Sequence, residues 1–107
     1  MKIYILTSVA LFAEYGDLDS LDTPSINTQV FFSKQKAKTR MEEELNNELE
    51  EATAQGYENV ETEISENTAF YQQGKSGDGC SWNQVQWEIS EITVTGFLRG
   101  LHLKGRR

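Results

Sequence analysis

The chain has 107 residues, of which 37% are hydrophobic and 25% are charged, with a single proline. This length leaves room for one ordinary domain, and the composition excludes a disordered or collagen-like chain. The net charge of −7 is unevenly distributed: residues 1–95 hold six basic and seventeen acidic residues, a net −11, while residues 96–107 hold four basic residues and no acid. An acidic body repels nucleic acid and favours basic protein partners, so no nucleic-acid partner is expected.

The single cysteine, Cys80, cannot form an internal disulfide. This favours a reducing compartment, and we expect a cytoplasmic protein. No stretch approaches the roughly 20 consecutive apolar residues of a membrane span, so no membrane partner is expected.

Two strands are predicted at the start of the chain. Residues 3–13 are apolar on both faces and rich in β-branched side chains, which is typical of a central strand. Residues 14–25 are polar and contain Gly16 and Pro24, and a β-type composition resumes over residues 26–32. The pattern predicts a hairpin with a long loop.

One long amphipathic helix is predicted next. Ser33 is a suitable N-cap and Gly56 supplies a C-terminal stop. Between them, apolar residues recur every three or four positions, at Ala37, Met41, Leu45, Leu49 and Ala52. One helix face is therefore expected to pack on one face of the sheet. Its expected contacts are Ile5, Val9, Val60, Ile64, Val85, Trp87 and Ile89.

Two further strands are predicted after the helix. Val60, Thr62 and Ile64 alternate with glutamates, which indicates a half-buried strand. A glycine-rich turn at residues 74–79 leads into the last strand, in which a change of phase after Ile89 suggests a bulge near Ser90. The predicted fold is a single α+β domain over residues 1–95, with β-β-α-β-β order, a four-stranded antiparallel sheet and one helix on one face. Residues 96–107 are predicted to form a basic C-terminal tail.

None of the usual catalytic or metal-binding patterns is complete. His102 is the only histidine, so a nucleophile–base pair through it is disfavoured. The acidic segment 17–22 lacks the spacing of a calcium loop, and Cys80 has no protease context. The glycines of residues 74–79 precede a strand, whereas a phosphate-binding loop precedes a helix. We predict no catalytic, metal or cofactor-binding residue, and enzymatic activity is left open but disfavoured.

Protein binding is the favoured function, through two candidate surfaces. The first is an apolar strip on the sheet face that the helix leaves uncovered, formed by Tyr4, Leu6, Phe12 and Phe31. The second is the acidic helix surface, represented by Glu43, Glu44 and Glu50. The strip is expected to meet a protein partner or a second copy, or to be covered by the tail residues Phe97, Leu98, Leu101 and Leu103.

The layout of the chain carries a resemblance. An Ile-Tyr-Ile-Leu-Thr strand at residues 3–7, a Val-Phe-Phe-Ser segment at 30–33 that leads into a Lys- and Glu-rich helix, and a late strand at 87–94 resemble small uncharacterised acidic proteins of bacteria and their mobile elements. Some proteins of this kind inhibit host or defence proteins, so the resemblance implies an inhibitor or nucleic-acid mimic. The alternative is a small accessory enzyme or ligand-binding protein whose pocket uses Tyr, Glu and Asn side chains.

Overall fold

A computed structural model describes residues 1–14, 21–74 and 81–94. Within these segments the chain forms one five-stranded antiparallel sheet and one helix, in the order β-β-α-β-β-β. The elements are β1 (Lys2–Ala13), β2 (Ser25–Phe31), α1 (Lys34–Ala54), β3 (Val60–Ile64), β4 (Thr68–Gln73) and β5 (Trp82–Thr93). The spatial order of the strands is β2-β1-β5-β4-β3. The central strand is β5, with β1 and β4 on either side of it, and β2 and β3 form the edges.

The four-stranded prediction is wrong because three strands follow the helix, and not two: residues 60–73 form a hairpin of β3 and β4 where one strand was predicted. The chain reverses between β3 and β4, where the Ser65 backbone N–H donates to the Thr68 carbonyl at 2.8 Å. Residues 65–68 contain neither glycine nor proline, which are the strongest turn signals in a sequence. The hairpin pairs Val60 with Gln73 and Ile64 with Ala69. The α+β class is compatible with this architecture.

The longest pairing in the sheet joins β1 to β5. It runs without interruption from Ala13 opposite Trp82 to Lys2 opposite Thr93. The predicted bulge near Ser90 is therefore wrong. The apolar residue Ile92 differs in phase from Ile89 because it lies on the other face of the sheet.

The helix confirms the sequence prediction. It begins after Ser33, whose side-chain oxygen accepts a hydrogen bond from the Lys36 backbone N–H at 3.3 Å. It ends at the C-cap Gln55, and Gly56 then adopts a φ of +76°. The residues that the helix buries are Ala37, Met41, Leu45 and Ala52, with Leu49 partly buried beside them.

The core lies between the helix and one face of the sheet, and β1 contributes to it in the opposite phase to the predicted one. Leu6 is fully buried, whereas Ile5 and Val9 point to the other face. Both faces of β1 are apolar, so its alternation could not show which face meets the helix. Pairing with β5 decides it, because Leu6 lies opposite the buried Ile89.

The predicted contacts on the later strands were more accurate. Val85, Trp87 and Ile89 are buried, and Val60 is partly buried against the core. Ile64 lies on the same face but is 52% exposed, at the end of the edge strand β3.

Candidate functional site

The candidate site is the sheet face that the described helix does not cover, which we call the open face. Strand alternation and register place a set of apolar side chains there, which we call the apolar strip. Its members are Ile3, Ile5, Val9 and Leu11 of β1, Ile26 and Val30 of β2, and Ile92 of β5, while Ala13 and Trp82 share this phase but are buried. Ile26 is 67% exposed and Val30 is 59% exposed, while the β1 residues are half-buried.

The strip consists of two groups of cross-strand neighbours. In one group, Ile3 lies opposite Ile92 and Ile5 lies opposite Val30. In the other, Val9 lies opposite Ile26, and the row of Thr7 separates the two groups. Side chains paired in this way are about 5 Å apart at Cβ.

The other half of the open face is polar and acidic. It carries the side chains of Gln84, Gln86, Glu88, Thr68, Gln72, Glu61 and Glu63. A cleft of about 630 Å³ lies in this half and reaches the strip at Thr7 and Val9. Among the described residues, no lysine or arginine projects from the open face.

Phe70 is one of the residues that line this cleft. Glu63 lies directly opposite it on β3; on β5 its direct neighbour is Gln86, and Glu88 stands in the diagonal position. An aromatic ring flanked by two exposed carboxylates is a favourable environment for an ammonium or guanidinium group. The open face is therefore apolar on one half and suited to cations on the other.

All four predicted strip residues lie on the helix side of the sheet. Leu6 is fully buried, and Tyr4 and Phe31 pack against the core beneath the helix. Phe12 shares their phase on β1 and is 39% exposed beside the end of the helix. The apolar strip on the open face consists of residues of the opposite phase.

The predicted acidic surface divides into one structural and two exposed residues. Glu44 accepts a hydrogen bond from Trp87 Nε1 at 3.2 Å and one from Gln29 Nε2 at 2.7 Å. It also forms an ion pair with Arg40 Nε at 2.9 Å. Glu44 is therefore engaged within the chain, whereas Glu43 and Glu50 are exposed.

A second, smaller cleft of about 110 Å³ lies beside the C-terminal half of the helix. It is lined by Phe12, Glu48, Glu51, Ala52, Gln55, Tyr57, Tyr71, Gln73, Ser81 and Asn83. Burial raises the pKa of Glu48 above its ordinary value, and the charges of Glu51 and Glu44 raise it further. Burial also raises the pKa of Tyr71, with a further contribution from Glu48.

This cleft has the Tyr, Glu and Asn lining that the ligand-binding alternative requires. Its volume is nevertheless well below the roughly 300 to 1,000 Å³ of ordinary ligand pockets. A ligand of ordinary metabolite size is therefore larger than this cleft.

Several predicted features lie outside the described residues. These are the acidic residues 17–20, the glycine-rich segment beyond Gly74, Cys80, and the tail with His102, Phe97, Leu98, Leu101 and Leu103. Within the described segments, no group of three or more His, Cys, Asp or Glu side chains is arranged to hold a metal ion. In the same segments, no helix combines the length and the apolar character needed to cross a bilayer.

Comparison with known proteins gives no match: no protein-family model, no curated protein and no solved structure is similar to the chain.

Proposed function

We propose that this chain is a non-enzymatic protein-binding module that engages a partner through the open face of its sheet. The observation that carries the proposal is the apolar strip, seven apolar side chains in two cross-strand groups on a face that the described helix leaves uncovered. Exposed apolar surfaces of this kind usually mark interaction sites, because water contact with them is unfavourable and a partner removes it.

The charge of the open face indicates the chemistry of the partner. Beside the strip stand Glu61, Glu63 and Glu88, with no described basic side chain to neutralise them on this face. A protein surface with an apolar centre and a lysine or arginine at its rim would complement both halves. The basic group would lie in the cleft over Phe70, between Glu63 and Glu88.

The experiment compares capture of binding proteins from the source cell by matched charge variants. Glu88→Lys changes the cleft, and Glu50→Lys makes the same charge change on the exposed helix surface. We expect Glu88→Lys to lose the partner and Glu50→Lys to retain it. Ile92→Lys, which places a charge in the strip, should also lose the partner while circular dichroism shows an unchanged fold.

Two results would overturn the proposal. One is a partner captured equally well by Glu88→Lys, Ile92→Lys and the unaltered chain. The other is tight binding of the purified chain to duplex or single-stranded DNA at about 150 mM salt, where charge steering is already largely screened.

An inhibitory role is the form of this function that the resemblance to acidic proteins of mobile elements favours. It predicts that the partner itself binds nucleic acid and that the chain competes for the same basic groove. A competition titration with the captured partner and a labelled oligonucleotide tests this role. If the partner binds the chain and the oligonucleotide at the same time, the chain is a binding module that does not mimic nucleic acid.

A further inference from the structure

The two edges of the sheet differ in how they are protected against pairing with another strand. The β3 edge carries Glu61 and Glu63 on a strand of five residues. The β2 edge has seven residues, Ser25–Phe31, and none of them is charged. Natural sheets commonly use charged side chains, prolines or bulges to prevent edge-to-edge association, so β2 is the unprotected edge.

From this difference we infer that β2 pairs with β2 of a second copy of this chain. The two strands run antiparallel about a two-fold axis, and the two five-stranded sheets join into one continuous sheet with both helices on the same side. In the part of the chain that the structure describes, β2 pairs with β1 alone, so its outer backbone groups are available. This surface is distinct from the cleft over Phe70 and does not depend on the partner proposed above.

The length of β2 determines the register of the pairing. For a seven-residue strand, only a two-fold axis at the central residue, Thr28, pairs every residue with a residue of the second copy. In that register Ile26 lies opposite Val30 of the second copy, and Val30 lies opposite its Ile26. These are two of the most exposed apolar residues in the described structure, at 67% and 59%.

Cross-strand pairs of this type are a principal source of stability in sheets. Phe32, immediately after β2, lies in a bend, so the paired register ends at Phe31. Phe32 is 75% exposed, and its ring adds apolar surface beside the junction.

Charge explains why a second copy would use this edge. Each chain carries a net charge of −7, so association of two copies is opposed wherever acidic surfaces meet. An edge made of β3 would bring Glu61 and Glu63 towards their counterparts. The β2 edge brings no charged strand residue to the junction, and the apolar strips of the two copies become continuous across it.

Disulfide trapping tests the inference directly. Residues opposite each other in an antiparallel pair have Cα atoms about 4.5 to 5.5 Å apart, within the range of a disulfide. With Cys80 replaced by serine, Thr28→Cys should form a covalent dimer under mild oxidation. Thr62→Cys, an exposed threonine on the β3 edge, is the matched control and should remain monomeric.

A charge variant provides a second measurement. Thr28→Lys would place two ammonium groups opposite each other at the axis, and we expect it to weaken dimerisation at least tenfold in sedimentation equilibrium. Thr62→Lys should leave the dimer unchanged. These measurements use the purified chain alone, so their outcome is separate from the capture experiment with Glu88→Lys.

Three outcomes would overturn the inference. The first is a Thr28→Cys chain that crosslinks no faster than Thr62→Cys. The second is an unaltered chain that stays monomeric up to about 500 µM, where even a weak specific dimer would form. The third is a captured foreign protein that crosslinks to Thr28→Cys while the purified chain alone does not, since β2 would then pair with a strand of that protein.

Discussion

Replacement of Glu44 by alanine should destabilise the fold. The sequence alone suggests the opposite, because a glutamate in an acidic helix is usually solvated and its replacement then costs little. One carboxylate oxygen accepts from Trp87 Nε1, and the other accepts from Gln29 Nε2 and Arg40 Nε. The side chain is only 19% exposed, and Trp87 is buried at 3%. Glu44 therefore ties the helix to both β2 and β5.

The expected magnitude follows from these contacts. Leaving the buried indole N–H without an acceptor costs about 1 to 3 kcal/mol. The exposed ion pair to Arg40 adds only about 0.3 to 0.5 kcal/mol. With the lost bond to Gln29, Glu44→Ala should reduce the free energy of unfolding by about 2 to 4 kcal/mol.

Two variants separate this explanation from a general effect of charge. Glu44→Gln retains an oxygen that can accept from Trp87 and should lose no more than about half as much stability. Glu43→Ala removes a neighbouring carboxylate whose described contact is an exposed ion pair with Arg40, and should change stability by less than about 0.5 kcal/mol.

The assay is urea denaturation followed by tryptophan fluorescence and circular dichroism, with an unchanged slope required for the comparison. The reasoning would be refuted if Glu44→Ala cost no more than Glu43→Ala. It would also be refuted if Glu44→Gln and Glu44→Ala were equally destabilising, because the retained acceptor would then be irrelevant.

Three further predictions concern stability. Leu45→Ala should cost about 2 to 4 kcal/mol in urea melts, since Leu45 is buried in the core, and a loss under about 0.5 kcal/mol would show that it does not pack there. The raised pKa of Glu48 means that the folded state binds this proton more tightly than the unfolded state, so its contribution to stability is lost as the pH rises through the folded-state pKa. Glu48→Gln should therefore raise the melting temperature at about pH 7. It should also remove the part of the stability increase between about pH 7 and pH 5 that comes from protonation of Glu48. A lower melting temperature of the variant at neutral pH would contradict this. Gly74→Ala should be more destabilising than Gly56→Ala by at least about 1 kcal/mol: both glycines have positive φ, but a Cβ at position 74 would lie 2.6 Å from the Ser81 carbonyl oxygen, and one at 56 would meet nothing within 4 Å. Equal losses in thermal melts would show that the contact at position 74 relaxes freely.

The candidate binding surface was predicted in kind but not in composition. An uncovered sheet face with an apolar strip followed from having one helix and from β1 being apolar on both faces. The sequence did not show whether Leu6 or Ile5 lies on the open face, because both phases of β1 are equally apolar. The alternation of Ile26 and Val30 with Asn27 and Gln29 on β2 did not help, because an apolar phase is expected to face the core, whereas Ile26 and Val30 are exposed on the open face.

The sequence alone determined the features that depend on neighbours along the chain. The helix between Ser33 and Gly56 is set by its cap, its apolar spacing and its stop, all of which are local. The inward phase of β5 is similarly clear, because Val85 and Trp87 alternate with glutamines. The acidic character of the domain is also a property of composition.

Only the tertiary structure decided the features that depend on residues distant in the chain. The turn of the extra hairpin, Ser65–Thr68, contains neither glycine nor proline, and its strand β4 is held by pairing with β3 on one side and β5 on the other. The face of β1 that meets the helix is fixed by register against Ile89. Glu44 is a structural residue because folding brings it to Trp87, 43 positions away, and no local pattern carries that information.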